Sequence, residues 1–377
     1  MPRRHADGPA PSRADAPPPS RTEVVLKWTG RVTALLAFIF AVIQFVKMVS
    51  DVRERRRQID ELVRTEQLQA QALDYPSAWA SLDRALTIAD SGGQLAKLTG
   101  QLSADARRLR EAQEDLAMAW VEDLRVAPGS TYAATADKLT PVMTRGAVAA
   151  SGPRKADLLA HIGWATFYKY LGLEVGTTPD LTPQYQAALA EDPANPFAHA
   201  FLGHSIVWNR GSLESAMKEF DAAVAANRSR PFVRQVQRHA LKRRGESADA
   251  VLVAVANEMR KNGEPLGPTM LSDIDGVYWF ACGSRENAER MRALFGPVPP
   301  ADHVVTYRAL FYDATVQNAD PSRVPARNAC LATLLEAAGQ KDEALKVWRE
   351  VRQAFKPKDS SQLADRADAA IRRLSAK

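Results

Sequence analysis

The stretch YQAALAEDPANPFAHAFLG, residues 185–203, joins the end of one predicted helix to the start of another. An Ala-rich run ends in Asp-Pro, a short turn follows, and a second helical run leads to Leu-Gly. Because Pro disfavours the helical conformation in the residue before it, Asp-Pro predicts a break between helices. The stretch therefore predicts a joint between two helices, and the fold depends on whether that joint recurs.

The same pattern continues downstream. A turn at Gly211 follows Gly203, and Ala216 and Phe220 then recur at helical spacing. We expect the small residues Gly203 and Ala216 to let two antiparallel helices approach closely, with Phe220 filling the gap to the next pair.

Further copies lie towards the C-terminus. The stretch LATLLEAAGQKDEALKVWREV, residues 331–351, repeats the pattern with a turn at Gly339. Weaker copies place small residues at Ala250 and Ala288, which are 34 and 38 residues beyond Ala216 and Ala250, respectively. The pattern therefore predicts an array of helix pairs.

A period near 34 residues resembles that of the tetratricopeptide repeat (TPR) family. Residues 156–227 and 325–353 carry most of the resemblance, while the 56 residues from Ala288 to Ala344 depart from the period. The resemblance implies an α-solenoid of degenerate TPR-like helix hairpins, with irregular inserts at about 126–134, 172–182 and 262–276. SDIDG, residues 272–276, is interpreted as a surface turn.

In such an array the first helices line a groove that holds a peptide or a partner helix. Aromatic rings beside a few polar groups are typical of protein interfaces, although rings packed between neighbouring helices would give the same pattern. The partner-groove candidates on the first helices are Trp164, Phe167, Tyr168, His204, Trp208 and Asn209.

An apolar run near the N-terminus predicts a single transmembrane helix. Residues 32–46 read VTALLAFIFAVIQFV, with only Thr33 and Gln44 polar. Helix from Trp28 to Val49 is long enough to span a membrane if the flanking cations reach the interfaces. A cleaved signal peptide and a buried soluble helix are alternative readings, and the sequence after the run lacks a small-residue cleavage site.

The positive charge of the chain is concentrated near this run. Residues 1–65 contain 12 Lys/Arg and 7 Asp/Glu, whereas the remainder contains 38 and 37. This distribution favours a membrane surface as partner over nucleic acid. The cations on the C-terminal side outnumber those on the N-terminal side, which favours a cytoplasmic C-terminal domain at a cell (inner) membrane. The candidates for lipid-headgroup contact are Arg31, Lys47, Arg53, Arg55, Arg56 and Arg57.

These features predict an all-α protein with one N-terminal transmembrane helix followed by the solenoid. The expected divisions are a disordered tail at 1–23, the membrane helix at 24–50, a helical stalk at 51–73, a helical region with a partial repeat at 74–155, TPR-like repeats at 156–260, and an irregular helical region ending in a TPR-like repeat at 261–377.

No catalytic motif stands out in the sequence. It contains no phosphate-binding loop, no HExxH, no paired CxxC and no GxSxG. Cys282 and Cys330 are interpreted as small buried apolar residues. We expect no catalytic residues, metal, cofactor or small-molecule substrate.

The favoured function is therefore a non-enzymatic, membrane-tethered scaffold or adaptor that binds a protein or peptide. An alternative is a helical sensor or enzyme-like domain with its site in the irregular regions 60–155 or 255–325. Self-association through the stalk is a third reading.

Overall fold

The computed structural model describes residues 21–91, 101–173, 178–282, 288–312, 321–356 and 361–376. Every regular element in this described part is a helix, which confirms the all-α prediction. The chain divides into two compact units, residues 1–116 and 117–377.

The first three helices are α1 (Arg21–Gln71), α2 (Tyr75–Asp90) and α3 (Gln101–Asp123). Those that follow are α4 (Tyr132–Ala149), α5 (Gly152–Gly172), α6 (Thr182–Glu191), α7 (Pro196–Trp208), α8 (Leu213–Ala225), α9 (Arg230–Arg244), α10 (Asp249–Lys261), α11 (Pro268–Cys282), α12 (Ala288–Leu294), α13 (Pro300–Phe311), α14 (Val324–Ala337), α15 (Lys341–Gln353) and α16 (Gln362–Ser375).

Helix α1 is unbroken over 51 residues, so the predicted membrane helix and stalk are parts of one element. Its apolar part is long and apolar enough to cross a membrane, and none of that part is buried inside the protein. Helix α1 begins at Arg21, within the last three residues of the tail predicted at 1–23. Residues 1–20 lie outside the described part.

The stalk end of α1 packs against α2. Helix α2 begins after Asp74, whose carboxylate accepts a hydrogen bond from the Ser77 N–H at 3.3 Å. The Ser81 hydroxyl donates to the Gln69 side chain at 2.9 Å, and Ile59 is buried. Part of the apolar stalk face is therefore covered within the chain itself, and self-association through the stalk stays a prediction.

The joint predicted at residues 185–203 is confirmed. Helix α6 ends at Glu191 and α7 begins at Pro196, with Asn195 as the capping residue between them. The Asn195 side-chain oxygen accepts a hydrogen bond from the Ala198 N–H at 2.9 Å, while the Asn195 backbone N–H donates to the Asp192 carbonyl at 3.0 Å. These bonds satisfy backbone groups that the helix ends leave unpaired.

The close approach of α7 and α8 is also confirmed. A Cβ atom added at Gly203 would lie 3.1 Å from the Ala216 carbonyl oxygen and 3.2 Å from the Phe220 ring. Ala216 and Phe220 are fully buried. A larger residue at 203 would push the two helices apart.

The hairpin predicted near the C-terminus is present as α14 and α15. Gly339 lies in the turn between them with a φ of 76°, which favours glycine. Leu331, Leu335, Ala344 and Trp348 are all buried, as the repeated pattern predicts.

The central helices pack as successive pairs. Helix α5 packs with α6, α7 with α8, and α9 with α10. The first helices of these pairs are also neighbours, because α7 contacts both α5 and α9. Side chains from α5, α7 and α9 are thereby brought together.

The irregular insert predicted at about 262–276 is only partly correct. Helix α11 begins at Pro268, so the SDIDG segment at 272–276 is helical and is not a surface turn. Its Asp273 carboxylate lies 2.5 Å from the Arg238 guanidinium. This ion pair joins α11 to α9. Because the two helices are separate in the sequence, local composition does not reveal the contact.

Candidate functional site

The predicted groove residues occupy two different environments. Trp164, Phe167, Tyr168 and His204 are buried, with exposed fractions of 1%, 4%, 2% and 1%, so these four side chains do not line an open groove. Their rings pack between α5 and α7, the alternative that the sequence left open. Trp208 is half-buried and Asn209 is exposed at the end of α7.

The buried residues form an aromatic cluster centred on Trp164. Its ring centroid lies 4.5 Å from that of Phe201, 4.8 Å from that of His204 and 5.1 Å from that of Phe167. Among the described residues, the Trp164 Nε1 and Tyr168 hydroxyl groups have no hydrogen-bond partner. Such packing stabilises the domain and leaves little surface for a ligand.

A pair of histidines borders this cluster. His204 Nε2 lies 3.2 Å from His239 Nδ1, and the bond requires one of these nitrogens to carry a proton. Burial, assisted by His239 and Arg243, lowers the pKa of His204 to about 3. Burial also lowers the pKa of His239, assisted by the charge of Arg125. Both rings are therefore neutral near pH 7.

Next to the histidines lies a partly exposed surface that we call the Trp208 patch. It comprises Trp208, Asn209, Arg210 and Arg243. The Arg243 guanidinium lies 4.5 Å from the centroid of the Trp208 ring, within the range of a cation–π contact. The patch thus combines an aromatic surface with two positive charges.

Helix α9 is strongly basic. Its sequence RPFVRQVQRHALKRR contains six Lys or Arg residues and no Asp or Glu. This run of cations is visible in the sequence, but it is not among the site residues that the sequence predicts.

One face of α9 lines a cavity of about 460 Å³, which we call the arginine cavity. This volume is within the range of small-molecule sites. Its lining residues are Arg125, Val126, Arg230, Pro231, Arg234, Gln235, Arg238, Met259, Glu264, Pro265, Gly267, Pro268, Thr269 and Met270. They come from three separate parts of the sequence, so no local motif marks the cavity.

The innermost cation of the cavity is held by carboxylates. Arg234 is 3% exposed and donates to Glu258 at 2.7 Å and to Glu264 at 3.0 Å. Burial lowers the pKa of Arg234, but these hydrogen bonds outweigh it and leave the pKa raised. Arg230 also lies near Glu264, at 3.7 Å.

Arg125 differs from the other cavity arginines. It donates to the neutral amide of Gln235 at 2.7 Å, and no carboxylate in the described part of the chain lies within ion-pair distance. Arg125 and Arg230 also each have a buried Nε atom without a hydrogen-bond partner among the described residues. Such unmet donors are uncommon in folded proteins.

The two cysteines are buried, as expected, but they also form a disulfide. Cys282 of α11 and Cys330 of α14 have Cα atoms 5.1 Å apart and are 48 residues apart in sequence. Their predicted burial is confirmed, and the structure adds the pairing that the sequence leaves open. Cysteine spacing alone does not reveal a pairing in three dimensions.

Among the described residues, no group of three or more His, Cys, Asp or Glu is placed to hold a metal ion. The absence of catalytic residues and cofactors stays a prediction.

The predicted headgroup cations lie along α1. Lys47 and Arg53 are exposed. Arg31 lies in α1, outside the residues whose side chains are described.

The remaining three headgroup candidates have protein partners. Arg55 donates to the Ser91 carbonyl at 3.3 Å, and Arg56 lies 3.5 Å from Asp105. Arg57 lies 3.5 Å from the glutamate three residues before it. Contact of any of these cations with a lipid headgroup stays a prediction.

No protein-family model, curated protein or solved structure matches the chain.

Proposed function

We propose that the chain is a non-enzymatic, membrane-tethered scaffold whose TPR-like helix pairs bind a protein partner. Two features support the proposal: the exposed apolar part of α1 and the packing of α5, α7 and α9 as neighbours. A tethered binding domain raises the local concentration of its partner at the membrane.

The Trp208 patch carries the proposal. Trp and Arg are the residues that most often dominate protein interfaces, and here Trp208 and Arg243 contact each other on an accessible surface. The positive charges of Arg210 and Arg243 select an acidic partner surface. In this proposal the Trp208 patch is the partner-binding surface, in place of the predicted groove residues that are buried.

The proposal is tested by photo-crosslinking in cells that naturally produce the chain. A photoreactive residue at Asn209 should give a discrete adduct that Arg243→Glu removes, because charge reversal repels an acidic partner. Position 148, an exposed valine of α4, is the matched control. Equal adducts from both positions, or an Asn209 adduct that survives Arg243→Glu, would contradict the proposal.

We further propose that the helical domain lies in an oxidising compartment. Disulfides persist in such compartments and are rare in a reducing cytoplasm, so the Cys282–Cys330 bond outweighs the charge balance that favours a cytoplasmic domain. A reporter active only after export, fused after Lys377, should be active. Activity of a cytoplasm-only reporter instead would refute this orientation.

A sensor is the second candidate function, and the arginine cavity favours it. Val126 and Gly267, which line the cavity, belong to the two irregular regions in which the sequence places a sensor site.

A further inference from the structure

We propose that the arginine cavity binds a small organic monocarboxylate with a branched or aromatic apolar body. This inference rests on the sensor function and is independent of the scaffold function. It names a ligand class that neither function specifies.

The charge of the cavity selects a single negative group. The carboxylates Glu258, Glu264 and Asp273 are paired with Arg234, Arg230 and Arg238, whereas the bond from Arg125 goes to a neutral amide. A carboxylate is the natural partner of a guanidinium group. A dianion such as phosphate would add a second charge close to Glu264, where repulsion opposes it.

The walls of the cavity select an apolar body. Met259 and Met270 are buried at its inner side, and Pro231, Pro265 and Pro268 are exposed around it. Methionine side chains adapt to branched and aromatic shapes. Burying an apolar ligand against this lining is favourable in proportion to the apolar area removed from water.

The first turn of α11 adds backbone donors. Thr269 and Met270 line the cavity, and N–H groups in a first helical turn have no acceptor within their own helix. The positive end of the helix dipole also favours a nearby anion.

The chain offers a variant that closes the cavity without disturbing its walls. A Cβ atom added at Gly267 meets no atom within 4 Å, and the φ of Gly267 is not in the left-handed region. Leucine at this position should therefore fold normally and occupy the space that a ligand would take.

The experiment is calorimetric titration of the purified full-length chain in detergent with sodium 4-methylpentanoate and sodium indole-3-acetate. We expect at least one to bind, with the affinity lowered about tenfold or more by Arg125→Gln and abolished by Gly267→Leu. Arg244→Gln, on the same helix but outside the cavity, should bind as the unaltered chain does. Circular dichroism melts check that all variants are folded.

Three results would overturn the inference. The first is that neither carboxylate binds. The second is that the corresponding neutral amides bind as tightly as the carboxylates. The third is that inorganic phosphate at the same concentration displaces the carboxylate. None of them bears on the crosslinking result at Asn209, so failure of the ligand and failure of the scaffold are distinguishable.

Discussion

Residues 152–225 and residues 249–375 are both helical, but different contacts hold them together. The first region packs aromatic rings between neighbouring helices, as in the contacts of Trp164 with Phe201 and His204. The second has a largely aliphatic core, which the Cys282–Cys330 disulfide crosses. The difference shows two ways of holding helices together: contacts between aromatic rings in the first region, and aliphatic packing with a covalent bond in the second.

The largest expected loss of stability is in the aromatic region, residues 152–225. Trp164→Ala should lower the free energy of unfolding by about 3–5 kcal/mol, because it leaves a cavity among packed rings. Urea denaturation followed by circular dichroism measures this loss. The matched control is Trp279→Ala in the second region, where the side chain is 50% exposed. Equal losses for both variants would contradict the assignment of Trp164 to the core.

In the second region, residues 249–375, the corresponding test is removal of the disulfide. Replacing both cysteines by alanine should cost about 2–4 kcal/mol, because the bond restrains the unfolded chain. Denaturation with and without reductant measures it: the natural chain should be sensitive to reductant and the double variant insensitive. A natural chain that reductant leaves unchanged would show that the bond does not contribute.

A polar contact connects three elements in the aromatic region. The buried Asp157 carboxylate accepts a hydrogen bond from Asn195 at 2.6 Å and two from Arg228 at 2.6 and 2.8 Å. Asp157→Ala leaves the buried Asn195 amide without this partner and should cost about 1–3 kcal/mol in urea denaturation. Asp137→Ala breaks the exposed Asp137–Lys169 pair and should cost almost nothing. Similar losses of stability in the two variants would contradict the larger contribution expected from the buried hydrogen bonds.

The smallest expected effect is a dependence on pH. His204 has a pKa of about 3 in the folded chain and an ordinary value of 6.5. The unfolded chain therefore binds the proton more readily, so stability is fully present above pH 6.5 and is lost as the pH falls towards 3. Between pH 7.5 and 6 the loss should be roughly 1 kcal/mol.

His204→Gln should flatten the pH dependence in urea denaturation. His239 and His303, whose pKa values burial also lowers, account for slope that remains. A variant with the full slope of the natural chain would contradict the assignment to His204.

Local patterns predicted the helices but not the site. Three features depend on residues that are close together in the sequence, so the sequence reveals them. They are the Asp-Pro joint, the small residues at 203 and 216, and the turn at Gly339. Whether Trp164 faces a groove or a core depends on α7, which packs over it. The arginine cavity depends on contacts between residues near 125, 234 and 267, and helical periodicity contains no information about such contacts.

The continuity of α1 has a geometric consequence. From Lys47 to Gln71 the helix rises about 37 Å beyond the apolar run, and α2 then runs back along it. Because Arg55 bonds to the Ser91 carbonyl, the chain leaves this pair level with a point only about 14 Å from the end of the apolar run. The chain therefore leaves the α1–α2 pair near the start of the stalk and not at its far end. Deleting one residue of α1 between the apolar run and Arg55 would turn this pair by about 100° relative to the apolar run while shortening the rise by only about 1.5 Å.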